Sequence, residues 1–216
     1  ANQIAGNDLH GIQINNAGSY STVDNNDIGN DGTGSTGIEN GQYGILINNS
    51  EGNNIGNPGS GNRIGGNLFG GLHITGTSGT SNLVQSNTFY DPSEVANINP
   101  IGIIISSGAD GNFIGGQYGV EGNDISRSTN EGIYIEASDG TVVQGNTIGN
   151  DGSAANSNNV GIRIDSGNNT FIGGDNPSGT SNTYNVISGN DDDGIRLDDA
   201  LNTQIYGNFI GVDVTG

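Results

Sequence analysis

Aliphatic residues in this chain come in short bursts that alternate with polar positions, and a glycine opens each burst. The pattern Gly-aliphatic-x-aliphatic occurs seven times: GIQI at Gly11, GILI at Gly44, GLHI at Gly71, GIII at Gly102, GIYI at Gly132, GIRI at Gly161 and GIRL at Gly194. The steps between them are 33, 27, 31, 30, 29 and 33 residues. A period of two marks a strand with one buried face. Helix is excluded, because apolar residues never recur at three and four, and Gly and Asn are too frequent. Each unit holds two further short strands. One is centred on Val23, Ile55, Val84, Ile114, Val143, Ile172 and Ile205; the other on Ile28, Ile64, Phe89, Ile125, Ile148, Ile187 and Ile210, with Ile4 ahead of them. Three strands per unit of roughly 30 residues predict one coil of an all-β parallel solenoid, with about seven coils stacked ~4.8 Å apart around a narrow Ile/Val core.

A longer period runs through the coils. NQIAGN, NRIGGN, NDISRS and NVISGN begin at Asn2, Asn62, Asn123 and Asn185, so the duplicated unit is two coils and about 60 residues. In one coil type the third strand follows the second directly; in the other a loop intervenes. This register predicts two polar columns. The first is Asn26, Asn57, Asn87, Gln117, Asn146, Asp175 and Asn208, read as an asparagine ladder. The second is Asn7, Asp31, Asn67, Asp91, Ser128, Asp151, Asn190 and Asp213, with a carboxylate on every other coil. Stacked amides bond along such columns. The second column is expected to be structural first, with Asp31, Asp91, Asp151 and Asp213 as a candidate metal row.

The segments NVISGNDDDGIRL, TVVQGNTIGNDG and NFIGVDVTG resemble the right-handed parallel β-helix repeats of the pectate-lyase-like superfamily. The resemblance covers essentially the whole of 1–216 and implies a single right-handed β-solenoid domain. It is closest in character to the Asn/Gly-rich repeats of large secreted or surface-anchored bacterial and archaeal proteins, which implies an extracellular or cell-surface location. The fold hosts enzymes, adhesins and scaffolds alike, so it does not by itself assign an activity.

Composition narrows the field. The hydrophobic fraction is 30% and there are 41 glycines. The formal net charge is -19, and the four basic residues are all arginine: Arg63, Arg127, Arg163 and Arg196. Low hydrophobicity with high charge suits disorder in general, but the regular placement of the aliphatic residues overrides that. So acidic a surface repels nucleic acid and anionic membranes and attracts cations. With no cysteine, neither disulfides nor thiolate metal sites can form. No apolar run approaches the roughly 20 residues of a membrane span. The chain opens at Ala1 inside a coil and closes inside another, without capping elements. That predicts flanking repeats of a longer chain, or copies stacked end to end.

Candidate chemistry lies on the outward face of the first strand. One column there is Gln13, Leu46, His73, Ile104, Tyr134, Arg163 and Arg196; a second is Asn15, Asn48, Thr75, Ser106, Glu136, Asp165 and Asp198. His73, Tyr134, Glu136, Arg163 and Arg196 form the candidate ligand-binding face, with polysaccharide as ligand. Resemblance to the family's lyases and hydrolases implies a basic residue as proton abstractor with calcium on carboxylates, or a set of two or three carboxylates. Arg163, Arg196, Asp165 and Asp198 would then be the catalytic residues. Asp191, Asp192, Asp193, Asp198 and Asp199 supply the oxygen ligands that calcium takes. The bland alternative is a ladder of surface ion pairs, each Arg flanked by Asp on its own and the adjacent strand. His10, in a turn, and His73, on the open face, have no catalytic partner nearby in sequence. The preferred functional expectation is a non-enzymatic structural module of an extracellular fibre or surface protein. A polysaccharide lyase or hydrolase and a glycan-binding adhesin stand as alternatives.

Overall fold

The computed structural model describes residues 1–18, 20–29, 38–90, 98–149, 157–174 and 182–211. These fold as a parallel β-solenoid with all described ladders parallel and no helix among the described residues. The front sheet has seven strands in chain order: Ile12–Asn15, Tyr43–Asn48, Gly70–Thr75, Ile103–Ser106, Glu131–Glu136, Val160–Asp165 and Ile195–Asp198. A second seven-stranded sheet runs from Thr22–Val23 to Gln204–Tyr206. The third side is divided into a three-stranded and a four-stranded sheet. Thr88 bridges them, pairing with Arg63 on one side and Asp124 on the other. The expected all-β architecture of three short strands per coil is therefore what the chain adopts.

The inward aliphatic residues stack into one core. Ile28, Ile45, Ile47, Ile64, Ile105, Ile133, Ile148 and Ile187 are completely buried. Each coil has too few apolar residues to bury its own side, so burial comes from the coils above and below. At roughly 25 cal/mol per Å² of apolar surface, stacking is the main stabilising term.

Asparagine ladders line the corners. The longest runs Asn2, Asn26, Asn62, Asn87, Asn123, Asn146, Asn185 and Asn208, each Nδ2 donating to the next Oδ1 over 2.9–3.1 Å. This corrects the expected first column. Asn57 and Gln117 are not members, and Asp175 lies outside the described residues. In loop-bearing coils the corner is filled by the residue that opens the third strand, not the one that ends the second. A second ladder joins Asn7, Asn40, Asn67 and Asn99, and after an interruption at Ser128 joins Asn158 to Asn190. Asn40, Asn99 and Asn158 hold the places between Asn7, Asn67, Ser128 and Asn190, in place of the expected carboxylates. Asp31, Asp91, Asp151 and Asp213 lie outside the described residues. A shorter third ladder links Asn53, Asn82 and Asn112.

Stacking this close also dictates glycine at some turns. Gly115 has φ +87°, and a β-carbon there would run into the Gln144 carbonyl of the next coil. Only glycine meets both demands.

Candidate functional site

The front sheet places its outward residues in register. Gln13, Leu46, His73, Ile104, Tyr134, Arg163 and Arg196 face one another strand by strand, as do Asn15, Asn48, Thr75, Ser106, Glu136, Asp165 and Asp198. Both columns are as expected from the alternation. They carry two clusters, one at each half of the sheet.

The C-terminal cluster is an ion-pair network. Arg163 Nε donates to Asp198 over 3.0 Å, and its terminal nitrogens meet Asp165 at 3.3 Å and Glu131 at 3.5 Å. Its guanidinium lies over the Tyr134 ring, 5.3 Å from the centroid. Arg196 does not follow the expected pattern. It turns back to the preceding turn, where Asp192 at 2.7 Å and Asp193 hold it, and it leaves Asp198 to Arg163. The hydrogen bonds that Arg163 donates to Asp198, and Arg196 to Asp192 and Asp193, push both guanidinium pKa values above the ordinary one. Each arginine is thus fixed as a cation, the opposite of what a proton abstractor requires. Arg163 and Arg196 are therefore not suited to the base role, and Asp165 and Asp198 serve as their counter-ions. Among the described residues no three carboxylate or imidazole groups converge as a metal site. The expected calcium ligands disperse: Asp192, Asp193 and Asp198 are engaged by arginine, Asp191 lines a separate cavity, and Asp199 is exposed in a left-handed turn.

The N-terminal cluster is built on rings. Tyr43 stacks on His10 with centroids 5.7 Å apart and an interplanar angle of 12°. Its other neighbour is His73, 4.7 Å away, and Phe69 meets its edge at 6.0 Å. The Tyr43 backbone N–H points at His10 Nδ1. His73 Nε2 is 2.8 Å from Ser106 Oγ, which in turn donates to Thr75 Oγ1. His73 Nδ1 is buried without a protein partner. So the two histidines that sequence leaves isolated are joined through Tyr43.

Tyr43 and Glu131 were not legible as site residues. Strict alternation from Gly44 puts Tyr43 on the inner side. In the structure Gly44 and Ile45 are both buried, so the alternation slips by one at the glycine and Tyr43 turns outward. The same slip at Gly132 brings Glu131 to Arg163. An aromatic or acidic residue directly before the Gly-aliphatic motif is the signal that would have found them.

Burial, then the charge of His10, holds the His73 pKa down to about 4, from 6.5. His10 is also lowered by burial, and Tyr43 is raised by it. His73 is therefore neutral over the whole ordinary pH range. Below pH 6.5 the unfolded chain takes up a proton at this position while the folded chain does not. Stability is then complete above pH ~6.5 and declines as pH falls toward 4, by about 3 kcal/mol at this site. Urea titrations at pH 7 and pH 4 should show that loss shrinking in His73→Gln; an unchanged pH dependence would count against the buried neutral imidazole.

No protein-family model matches the chain, and no curated protein matches it in sequence. Solved structures do. A single mutant of the periplasmic alginate epimerase AlgG superposes with a TM-score of 0.62 at 15% identity, covering 92% of this chain and 47% of that one. A double mutant of the same epimerase gives 0.56 at 14% identity, and the unmutated protein 0.55 at 14%. The chain spans about half the length of these structures. The likeness establishes the parallel β-helix fold. No helix of the described residues is long and apolar enough to cross a membrane.

Proposed function

We propose that this chain is the β-helix module of a secreted or periplasmic polysaccharide-modifying enzyme. The polymer, a uronate glycan, lies along the front sheet, and His73 with Tyr43 forms the proton-transfer centre. The observation that carries this is the neutral His73 imidazole on the outer face, in ring contact with the Tyr43 phenol at 4.7 Å. The fold shared with an alginate epimerase supports the choice of polymer. In a uronate unit the C–H bond beside the carboxylate can break, its electron pair passing into the carboxyl group. Once the Ser106 hydroxyl turns away from Nε2, that nitrogen of the neutral imidazole accepts the proton, and a phenol returns one to the carbon. Return to the opposite face inverts the centre; alternatively the electron pair forms a C=C bond to the next carbon, whose glycosidic oxygen leaves with the phenol's proton, and the chain is cleaved. Neither course needs an outside oxidant or reductant. Tyr134 and Arg163 lie two and three strands from His73, roughly 10 and 14 Å along the axis. That distance suits contact with later sugar units of the same polymer. The Arg163 guanidinium lies over one face of the Tyr134 ring and supplies the cation for a sugar carboxylate.

The test is incubation with a panel of uronate and neutral polymers in D2O, followed by NMR. Deuterium appearing at the carbon beside the carboxylate, or unsaturated ends, is the expected result on at least one uronate polymer. Neither signal on any uronate polymer would sink the proposal.

A second reading, a stacking module of a fibre or surface protein, has its own support. Leu197, Ile205 and Ile210 are 42%, 39% and 47% exposed. Their partners one coil below, Ile164, Ile172 and Ile187, are fully buried. An apolar surface of this kind suits stacking on a coil of another copy. Sedimentation that is independent of concentration would count against stacking between copies.

A further inference from the structure

The turn that follows the third strand reads Ala5-Gly6-Asn7, Gly65-Gly66-Asn67, Ser126-Arg127-Ser128 and Ser188-Gly189-Asn190 in the alternate coils. In three of them a glycine takes the left-handed conformation, with φ of 70°, 68° and 65°, and an asparagine joins the ladder. In the remaining coil both rules are broken at once. Arg127 adopts φ 61° with a full side chain, and Ser128 replaces the ladder asparagine. The ladder stops there. Ser128 still donates its backbone N–H to Asn158 Oδ1, but its buried hydroxyl has no partner. Two adjacent departures, each costly to the fold, mark a place where something other than folding selects the residues.

The same two residues border a cavity of about 360 Å³. Among the described residues, Ile98, Thr129, Ser157, Asn159 and Asp191 also line it. That volume is within the range of small-molecule sites. Its frame is fixed, because the turns of successive coils are hydrogen-bonded: Asn130 N–H to Pro100 O, Asn159 N–H to Asn130 O, and Asp191 N–H to Asn158 O, each at 2.9 Å. The Arg127 guanidinium is oriented over the Tyr90 ring at 5.2 Å, and Tyr90 is itself anchored to Asp124.

We infer that this cavity binds one pyranose sugar unit, as a site separate from the front-sheet centre. The chemistry of the wall selects that class. Arg127 and Asn159 donate, Asp191 accepts, and Thr129 and Ser157 do either, which matches neighbouring sugar hydroxyls that must each give and receive. Ile98 supplies an apolar contact for a ring face. The inference also accounts for Asp191, which neither arginine on the front sheet engages.

The test uses saturation-transfer NMR and titration calorimetry with glucose, mannose, glucuronate and mannuronate. Wild-type protein is expected to bind at least one with a Kd on the order of millimolar. A preference for the uronates assigns the guanidinium to the sugar carboxylate; equal binding of neutral sugars assigns recognition to hydroxyls; both support the site. The double variant Arg127→Gly, Ser128→Asn restores the repeat's own residues, so it should melt above wild type yet bind at least tenfold more weakly. Asp191→Asn should weaken binding similarly. His73→Ala removes the front-sheet proton-transfer centre, so sugar binding that survives in that variant is assigned to this cavity, which keeps this inference distinct from the proton-transfer proposal. Absence of binding to all four sugars, or wild-type affinity in the double variant, overturns it.

Discussion

Replacing His73 with alanine is expected to lower C–H exchange on a uronate polymer by about 10²- to 10⁴-fold, the usual worth of a positioned acid or base. The fold should survive, because the side chain points outward while Leu72 and Ile74 on either side are wholly buried. Circular dichroism and a melting curve would show this before activity is measured. Tyr43→Phe separates two roles of the phenol. The ring that stacks on His10 and contacts His73 stays, and only the hydroxyl goes. Loss of turnover with unchanged polymer affinity assigns Tyr43 to proton delivery; loss of affinity with unchanged turnover makes it a platform. The acid side of the rate profile carries a further check. A base with a pKa near 4 remains neutral until the solution is strongly acidic, so activity should fall through about pH 4 and not through 6.5. A His73→Ala protein as active as wild type would remove the centre from consideration.

Asn123→Ala should be among the most damaging single truncations in the fold, costing about 3–5 kcal/mol. Asn123 makes four hydrogen bonds in the middle of the longest ladder. Its Oδ1 accepts from the Asn87 backbone N–H at 3.0 Å and from Asn87 Nδ2 at 3.1 Å. Its Nδ2 donates to Val84 O at 2.8 Å and to Asn146 Oδ1 at 2.9 Å. Alanine leaves the Asn87 backbone N–H buried and unpaired and strips one bond each from Asn87 Nδ2, Val84 O and Asn146 Oδ1, at about 1–3 kcal/mol for a group that finds no substitute. Native domains are stable by only about 5–15 kcal/mol, so a shift of this size is plain in a urea unfolding curve. Asn2→Ala provides the contrast. Asn2 is exposed at the end of the same ladder and makes one bond along it, to Asn26, so its removal should cost about 1 kcal/mol or less. Equal effects at the two positions would mean that the ladder does not stabilise the coil stack.

Much of the architecture could be read from spacing. Each coil is one copy of a short rule, and a rule repeated seven times stands out from noise. The front-face columns followed, since period-two alternation fixes which side chains share a face once the register is known. The ladders were placed less well. Asn57 and Gln117 are in equivalent sequence positions to Asn26 and Asn87, yet a loop after the second strand moves Asn62 and Asn123 into the corner instead. Counting residues cannot show how a loop uses its length. The ion pairs were half legible: Arg163 meets Asp165 and Asp198 as the register requires, whereas Arg196 turns to Asp192 and Asp193, three and four residues earlier in its own turn.

By itself the sequence determined the solenoid, its coil length, its Ile/Val core and the identity of the outward columns. These depend on local periodicity, and neighbouring coils only repeat it. The tertiary structure alone decided which side chains of different columns meet. It joined His10, Tyr43 and His73 across three coils, and it gathered Arg127 and Asp191 from different coils around one cavity. The physical reason is the one-residue slip at each motif glycine and the bend of each turn. Both turn side chains across the axis of the coil, a direction that spacing along the chain does not record.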